Sequence, residues 1–277
     1  MSPKDALIHA LPRFLRRCDA KSTKQAYERE LRRFLAWLSD TLHEETLFDY
    51  RDHLREKRLG ATTVRWRTTV VRAFLQFAKR RRYLEKDAVA DFKPPKGKVG
   101  FAPRVLTQGE LDRLMAAPDR RTAQGRRDAA VLVCMGVGGL RVGEVCRLNA
   151  QDVLIRQHEV VLTVYGKGNK QRLVTLPGNW VGQFQSYLRV WPKSRRPFNP
   201  FFWCGPKGDR RITPAAVDYL VKRAGTAAEV PGLHPHALRH TAATLGVLGG
   251  ETLPAIKAKL GHSSIVMTIK YLHLEKS

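Results

Sequence analysis

The chain has 277 residues, which is long enough for two domains of ordinary size. Hydrophobic residues make up 43% of it, and no segment approaches the roughly 18 apolar residues that a membrane span needs. Lysine and arginine total 50 against 25 acidic residues, a formal net charge of +25, and basic residues are in excess on both sides of residue 100. Such an excess favours a polyanionic partner, because each neutralised phosphate releases condensed counterions.

The cysteines and the N-terminal segment exclude other classes of protein. The cysteines lie far apart and form no C-x-x-C pair, so the sequence contains no zinc or redox motif, and we expect no metal or other cofactor. The first 20 residues carry an acidic residue and scattered arginines, and they lack the apolar core of a signal peptide. We therefore expect a cytoplasmic, nucleoid-associated protein that does not bind membranes.

Residues 1–90 are predicted to form a small helical bundle with basic outward faces. The first helix that the apolar spacing indicates is Ser22–Asp40, with Ser22 or Thr23 as its N-cap. The second runs from Leu47 to Arg58, and the third begins after Thr63. A proline- and glycine-rich stretch without periodicity follows, so we place a linker at 91–104 and a second domain at 105–277.

The second domain is predicted to combine helices with one small antiparallel sheet. It opens with a capping box from Thr107 to Glu110, followed by a buried helix through Ala129–Met135. Segments rich in β-branched residues predict three strands, at Val153–Ile155, Glu159–Tyr165 and Gln171–Leu176. The remaining predicted helices are Trp180–Val190, Thr213–Ala224, His236–Leu248, Leu253–Leu260 and Ile265–Leu274. The fold class is therefore mostly α with a small antiparallel β-sheet.

Cationic side chains are the chemistry that the sequence offers for a phosphate partner. Breaking a DNA phosphodiester needs a nucleophile, positive charge near the phosphate and a proton for the leaving oxygen. The clustered carboxylates of a two-metal nuclease are absent from the sequence, whereas arginines are plentiful. Arginine suits this task because its planar guanidinium can grip two phosphate oxygens at once.

Four short motifs, in a fixed order, carry a family resemblance. They are Gly139–Glu144 (G-L-R-x-x-E), Gly166–Lys170 (G-K-G-x-K), His236–His240 (H-x-L-R-H) and Leu260–Ser264 (L-G-H-S-S), the last followed by Tyr271 nine residues after its histidine. Together they resemble the signature boxes of the tyrosine recombinase (phage integrase) family and are similar to those of its compact Xer-type members. The resemblance extends over nearly the whole chain.

The resemblance implies how the positive charge would be used. Arg141 and Arg239 would clamp the scissile phosphate and stabilise the transition state. Lys167, in the predicted turn between two strands, would protonate the leaving 5′ oxygen, and Lys170 is a rival for this role. Glu144 would orient Arg141 without touching the phosphate.

The resemblance also implies a nucleophile with histidines around it. Tyr271 would attack the phosphate, leaving a 3′-phosphotyrosyl bond and a free 5′-hydroxyl. His236 would be the acid–base partner of the tyrosine, His262 would hydrogen-bond the phosphate, and His240 would support them. Since the bond energy is conserved, the reaction would need neither ATP nor a metal ion.

For the whole protein, the resemblance implies an N-terminal core-binding (SAM-like) bundle and an α+β catalytic domain that close around double-stranded DNA. The activity would be to cut and rejoin two duplexes at a specific site, on a homotetramer or a heterotetramer with a related recombinase. Two other functions remain open: type IB topoisomerase-like relaxation of DNA, and DNA binding by the same fold without cutting.

Two departures from the family pattern concern the ends of the sequence. No additional arm-binding domain precedes residue 20, so we expect no accessory-site binding of the large phage integrase kind. Only the six residues from Leu272 to Ser277 follow the tyrosine, whereas many relatives carry a further helix that docks on a neighbouring subunit. We therefore expect subunit coupling to differ from those relatives, or the chain to be truncated.

Overall fold

The computed structural model describes residues 1–85, 89, 91–95, 104–166, 169–191, 200–204 and 210–261. The chain divides into two compact units, Met1–Phe101 and Ala102–Ser277, each with its own buried apolar cluster. Within the described segments, no helix combines the length and the apolar composition needed to cross a membrane.

The first unit is a bundle of helices packed around aromatic and aliphatic side chains. Its helices are α1 (Pro3–Leu15), α2 (Lys21–Trp37), α3 (Thr46–Glu56) and α4 (Ala61–Arg80). Leu31, Phe34, Leu47, Val71 and Phe74 are each fully buried at the centre of the bundle. The apolar spacing recognised in the sequence thus corresponds to the faces that pack together.

The sequence analysis predicted no helix where α1 lies. A side chain of α1 contacts the end of α2, and α2 ends earlier than predicted. Ser2 caps α1 by accepting a hydrogen bond from the Asp5 N–H at 3.1 Å. Lys4 donates from its Nζ to the carbonyl of Leu38 at 2.7 Å, where the chain has already become extended (ψ 130°). The predicted end at Asp40 was therefore wrong, because Leu38 has already left the helical conformation, and its carbonyl is bound by a side chain of another helix.

The predicted N-cap of α2 was also wrong. Ser22 and Thr23 lie inside the first turn, and Ala20 occupies the cap position without a side-chain hydrogen bond. Helix α4 likewise begins at Ala61, earlier than predicted, with Gly60 at its cap position.

The second unit is built around the buried helix α6. Its helices are α5 (Gln108–Ala116), α6 (Ala123–Gly136), α7 (Val142–Arg147), α8 (Val181–Leu188), α9 (Pro214–Ala227), α10 (Pro235–Leu248) and α11 (Leu253–Leu260). Short 3-10 helices occupy Ala150–Asp152 and Gly178–Trp180. Helices α8 and α10 pack against α6, whose residues from Asp128 to Gly136 are all buried. The capping box predicted from Thr107 to Glu110 is present at the start of α5.

The larger sheet of this unit is three-stranded and antiparallel, as predicted. The strands β1 (Val153–Ile155), β2 (Glu159–Tyr165) and β3 (Gln171–Pro177) lie in the order β1-β2-β3. Tyr165 pairs with Gln171, and the Gly166 N–H donates to the Lys170 carbonyl at 2.8 Å, which closes the turn. A second, two-stranded sheet of β4 (Trp203–Cys204) and β5 (Arg210–Arg211) was not predicted.

Candidate active site

The loop between α6 and α7 places the first arginine motif, and it begins with a glycine in the left-handed conformation. Gly139 has a φ of +66°, in the left-handed region, and an added Cβ would lie 2.4 Å from Leu260 Cδ2. The tight approach brings the Gly139 carbonyl to Arg239, whose Nη1 donates to it at 2.5 Å. A residue other than glycine at position 139 would therefore have a strained backbone, and its Cβ would displace the Leu260 side chain.

Glu144 is the buried centre of a cluster of arginine side chains, formed by Arg141, Arg172 and Arg239. Its carboxylate accepts from the Arg141 backbone N–H at 2.8 Å and from Arg141 Nη1 at 2.9 Å. Arg172 donates to the same carboxylate in a two-pronged geometry, Nη1 to Oε1 at 2.9 Å and Nη2 to Oε2 at 2.8 Å. Burial raises the pKa of Glu144, but the hydrogen bonds from Arg172 and Arg141 outweigh it, so the pKa is below its usual value. The carboxylate is therefore charged at neutral pH.

Arg239 is held by backbone carbonyls that come from distant parts of the sequence. Besides the Gly139 carbonyl, it binds the carbonyl of Leu260, at 2.6 Å from Nη2. Its Nη1 lies 4.0 Å from Glu144 Oε2, so Arg141 and Arg239 approach the two oxygens of one carboxylate. The Arg239 side chain is 6% exposed, whereas that of Arg141 is 39% exposed. The arrangement thus combines one buried and one accessible guanidinium.

Helix α10 carries the histidines of the second motif beside this arginine pair. His236 and His240 lie one turn apart, and His234 caps the helix by accepting from the Ala237 N–H at 3.2 Å. Partial burial lowers the pKa of His236 below its usual value, and the positive charges of His234, Arg239 and Arg141 add to this effect. Burial and the neighbouring charges also lower the pKa of His240. These shifts favour the neutral form of both histidines near pH 7.

Thr241 connects α10 to the beginning of the second unit through a hydrogen bond. Its Oγ1 donates to the Ala237 carbonyl and accepts from the Leu106 N–H, each at 2.9 Å. The side chain is fully buried, so this hydroxyl satisfies a backbone donor that water cannot reach. Helix α10, which carries Arg239, is thereby fixed in its register against the chain before α5.

Of the eight predicted site residues, five lie in the described part of the chain, and the structure brings them together. These are Arg141, Glu144, His236, Arg239 and His240. The other three, Lys167, His262 and Tyr271, lie outside the described residues. Among the described residues, no group of histidine, cysteine, aspartate or glutamate side chains is placed to hold a metal ion.

Arg172 is a member of the cluster that the sequence analysis missed. It lies on the same face of β3 as the buried Val174 and Leu176, so a charged residue occupies an inward position of an alternating strand. The inward position could have indicated an ion pair from the sequence, because a buried charge requires a partner of opposite sign. The partner, Glu144, lies 28 residues away in sequence, and only the structure shows that the two side chains meet.

Comparison with known protein families identifies the chain. The model described as "Phage integrase family" matches residues 104–277, and that of "Phage integrase, N-terminal SAM-like domain" matches residues 13–82. The chain belongs to the phage integrase family. This confirms the family predicted from the four motifs.

Curated relatives of this phage integrase family member are tyrosine recombinases of the Xer type. Tyrosine recombinase XerD of Ralstonia nicotianae is 31% identical over 93% of this chain and 85% of the relative. Tyrosine recombinase XerD of Lacticaseibacillus casei is 30% identical over 92% and 88%, respectively. Family and relatives together identify the chain as a site-specific recombinase of the tyrosine class, as the sequence predicted.

Solved structures confirm the predicted fold class. The XerH site-specific recombinase bound to palindromic difH substrate superposes with a TM-score of 0.75, at 20% identity over 92% of this chain and 77% of that one. A lambda integrase dimer bound to a COC′ core site gives a TM-score of 0.74, at 16% identity over 98% and 95%. At these identities, the likeness is one of fold.

Proposed function

We propose that this recombinase binds double-stranded DNA and cleaves it at a specific site through Tyr271, forming a covalent 3′-phosphotyrosyl intermediate. The observation that carries the proposal is the approach of Arg141 and Arg239 to one buried carboxylate. Two guanidinium groups held this close together suit the non-bridging oxygens of a phosphodiester. The DNA-bound XerH and lambda integrase structures support a DNA partner.

The proposed reaction conserves phosphodiester bond energy. The Tyr271 hydroxyl loses its proton to neutral His236 and attacks phosphorus while the bond to the 5′ oxygen breaks. Lys167 gives a proton to that oxygen, and His262 with the two arginines stabilises the charge on the phosphate. In the second step, a 5′-hydroxyl from another strand displaces the tyrosine. Because one ester replaces another at each step, neither ATP nor a metal ion is required.

The domain organisation is part of the proposal. We assign residues 1–90 to a DNA-binding domain, 91–104 to a linker and 105–277 to the catalytic domain. The extents of the two family matches support this assignment. Recombination of two duplexes would proceed on a tetramer, either of this chain alone or with a related recombinase, since two strands of each duplex must be exchanged.

A suicide substrate tests the nucleophile. A duplex that binds the protein is selected from a random-sequence library, and a nick is placed beside the cleavage position so that the short product diffuses away. We expect a covalent protein–DNA adduct that Tyr271→Phe abolishes without weakening DNA binding. Tyr219→Phe is the matched control, because Tyr219 on α9 is 65% exposed and outside the arginine cluster. An adduct that persists in Tyr271→Phe would show that another residue attacks.

A modified leaving group tests the proton donor. A 5′-phosphorothiolate needs little protonation when it leaves, so it should restore cleavage to Lys167→Ala. Lys170→Ala serves as the control and should cleave the unmodified substrate at the parental rate. If Lys167→Ala is not rescued, or if Lys170→Ala is the variant that is rescued, the assignment of Lys167 is wrong.

Plasmid assays distinguish recombination from the two alternatives. A recombinase should join two copies of the selected site, whereas a topoisomerase of the type IB kind should relax plasmid that lacks the site. A protein that binds DNA without cutting should do neither.

A further inference from the structure

Arg172 connects three segments of the second unit. Its Nη1 and Nη2 hold the Glu144 carboxylate at 2.9 and 2.8 Å, and its Nε donates to the Lys259 carbonyl at 2.8 Å. Strand β3, the first turn of α7 and the last turn of α11 therefore meet at one guanidinium. The Arg172 side chain is 11% exposed.

The contact with α11 extends to the residue immediately before His262. Gly261 caps α11 in the left-handed conformation, with a φ of +64°. A Cβ on Gly261 would lie 3.2 Å from both Cδ and Nη1 of Arg172, so the backbone at Gly261 packs directly on the arginine. The position at which the chain leaves α11 is thus set by Arg172 on one side. On the other side, it is set by Arg239, through the Leu260 carbonyl.

Only arginine has the geometry for these contacts. A guanidinium is planar and directs its N–H groups along fixed lines, so it can serve a carboxylate through two parallel bonds and a carbonyl through Nε. A lysine would supply the charge as a single point without that fork. Glu144 in turn holds both the N–H and the Nη1 of Arg141, so the orientation of its carboxylate determines where Arg141 points.

We infer that Arg172 is a positioning residue of the recombinase site. It orients Glu144, and through Glu144 the accessible Arg141, and it fixes the point from which the chain continues to His262. The inference rests on the proposed function of Arg141 and His262. Arg172 acts through these residues, since its guanidinium is directed at Glu144 and the Lys259 carbonyl and is largely buried.

Hydrogen exchange on the protein without DNA tests the positioning apart from any chemistry. The Arg141 amide is protected by its bond to Glu144 Oε2, so its exchange reports the orientation of that carboxylate. In Arg172→Lys, we expect this amide to exchange about tenfold faster relative to the buried amides of α6, because the bond to a charged acceptor is weakened.

Arg211→Lys is the matched control. Arg211 is also partly buried, and it binds the Cys146 carbonyl at 2.8 Å and Asn149 Oδ1 at 2.7 Å, near the other end of α7. Its replacement also breaks hydrogen bonds of an arginine, so the overall stability should fall in a similar way. The relative exchange of the Arg141 amide should be unchanged.

Single-turnover cleavage of the suicide substrate tests the consequence for the site. We expect Arg172→Lys to lower the cleavage rate roughly 100-fold, as a misplaced catalytic group does, while the Kd for DNA changes less than about threefold. Arg211→Lys should cleave within about threefold of the parent protein. A loss of DNA binding that matches the loss of cleavage would overturn the inference, because Arg172 would then be a binding residue.

The double variant Arg172→Met/Glu144→Gln separates positioning from charge compensation. If Arg172 merely neutralised a buried carboxylate, removal of both charges would restore cleavage, and that result would contradict a positioning role. We expect cleavage to stay low. An unchanged exchange rate of the Arg141 amide in Arg172→Lys would overturn the inference, even if cleavage were slower. The absence of an adduct in the parent protein, with faster exchange at Arg141 in the variant, would instead refute the proposed function.

Discussion

Substitution of Gly139 by alanine should strongly destabilise the second unit. A residue other than glycine in the left-handed conformation costs about 1–2 kcal/mol, and Gly139 has a φ of +66°. The new Cβ would lie 2.4 Å from Leu260 Cδ2 and 3.5 Å from Ala242 Cβ. Leu260 is fully buried and its carbonyl is bound by Arg239, so it has little room to move. Overpacking of this kind costs about 1–3 kcal/mol.

The two effects add to about 2–5 kcal/mol in the free energy of unfolding, a large part of the roughly 5–15 kcal/mol that stabilises a domain. Native-state hydrogen exchange at the buried amides of α6 measures this quantity for the second unit alone. The matched control is Gly182→Ala on α8, where a Cβ would have no neighbour within 4 Å. Since alanine favours a helix over glycine, the control should be neutral or gain up to about 1 kcal/mol.

The same substitution should slow DNA cleavage, because the Gly139 carbonyl holds Arg239. Gly182→Ala should cleave at the parental rate. A Gly139→Ala protein as stable as the parent would refute the reasoning, because it would mean that neither the backbone conformation nor the contact with Leu260 requires glycine.

Three further predictions concern protonation and buried hydrogen bonds. The lowered pKa values of His236 and His240 predict that cleavage is constant near pH 7 and declines at lower pH, with a midpoint below 6.5. A midpoint of the cleavage rate above 6.5 would contradict that prediction. Because the unfolded chain binds these protons more readily than the folded one, the free energy of unfolding should also fall as the pH drops below 6.5. Thr241→Val should cost about 1–3 kcal/mol in unfolding measurements on the second unit, because a buried N–H loses its acceptor. Tyr50→Phe removes the 2.7 Å bond to the buried Glu30 carboxylate. It should destabilise the first unit by about 1.5–3 kcal/mol in urea unfolding, and an unchanged midpoint would contradict that.

The family and much of the secondary structure were predictable, because both depend on short segments of sequence. The capping box at Thr107, the strand at Glu159–Tyr165 and the helix at Leu253–Leu260 follow from spacing and local hydrogen bonds. The end of α2 was one of the errors, and a distant residue lies at it. Lys4 Nζ binds the Leu38 carbonyl there across 34 residues, a contact that no local pattern predicts.

The sequence by itself predicted that Arg141 and Arg239 belong to one site, because the order of the motifs identifies a family and the family resemblance implies the site. Only the tertiary structure decided how these arginines are held. Arg172 reaches Glu144 across 28 residues, and Arg239 reaches the Gly139 carbonyl across 100. A buried charge or carbonyl can be satisfied by any suitable group that folding brings near. The supporting contacts of the site therefore follow from packing and not from sequence pattern.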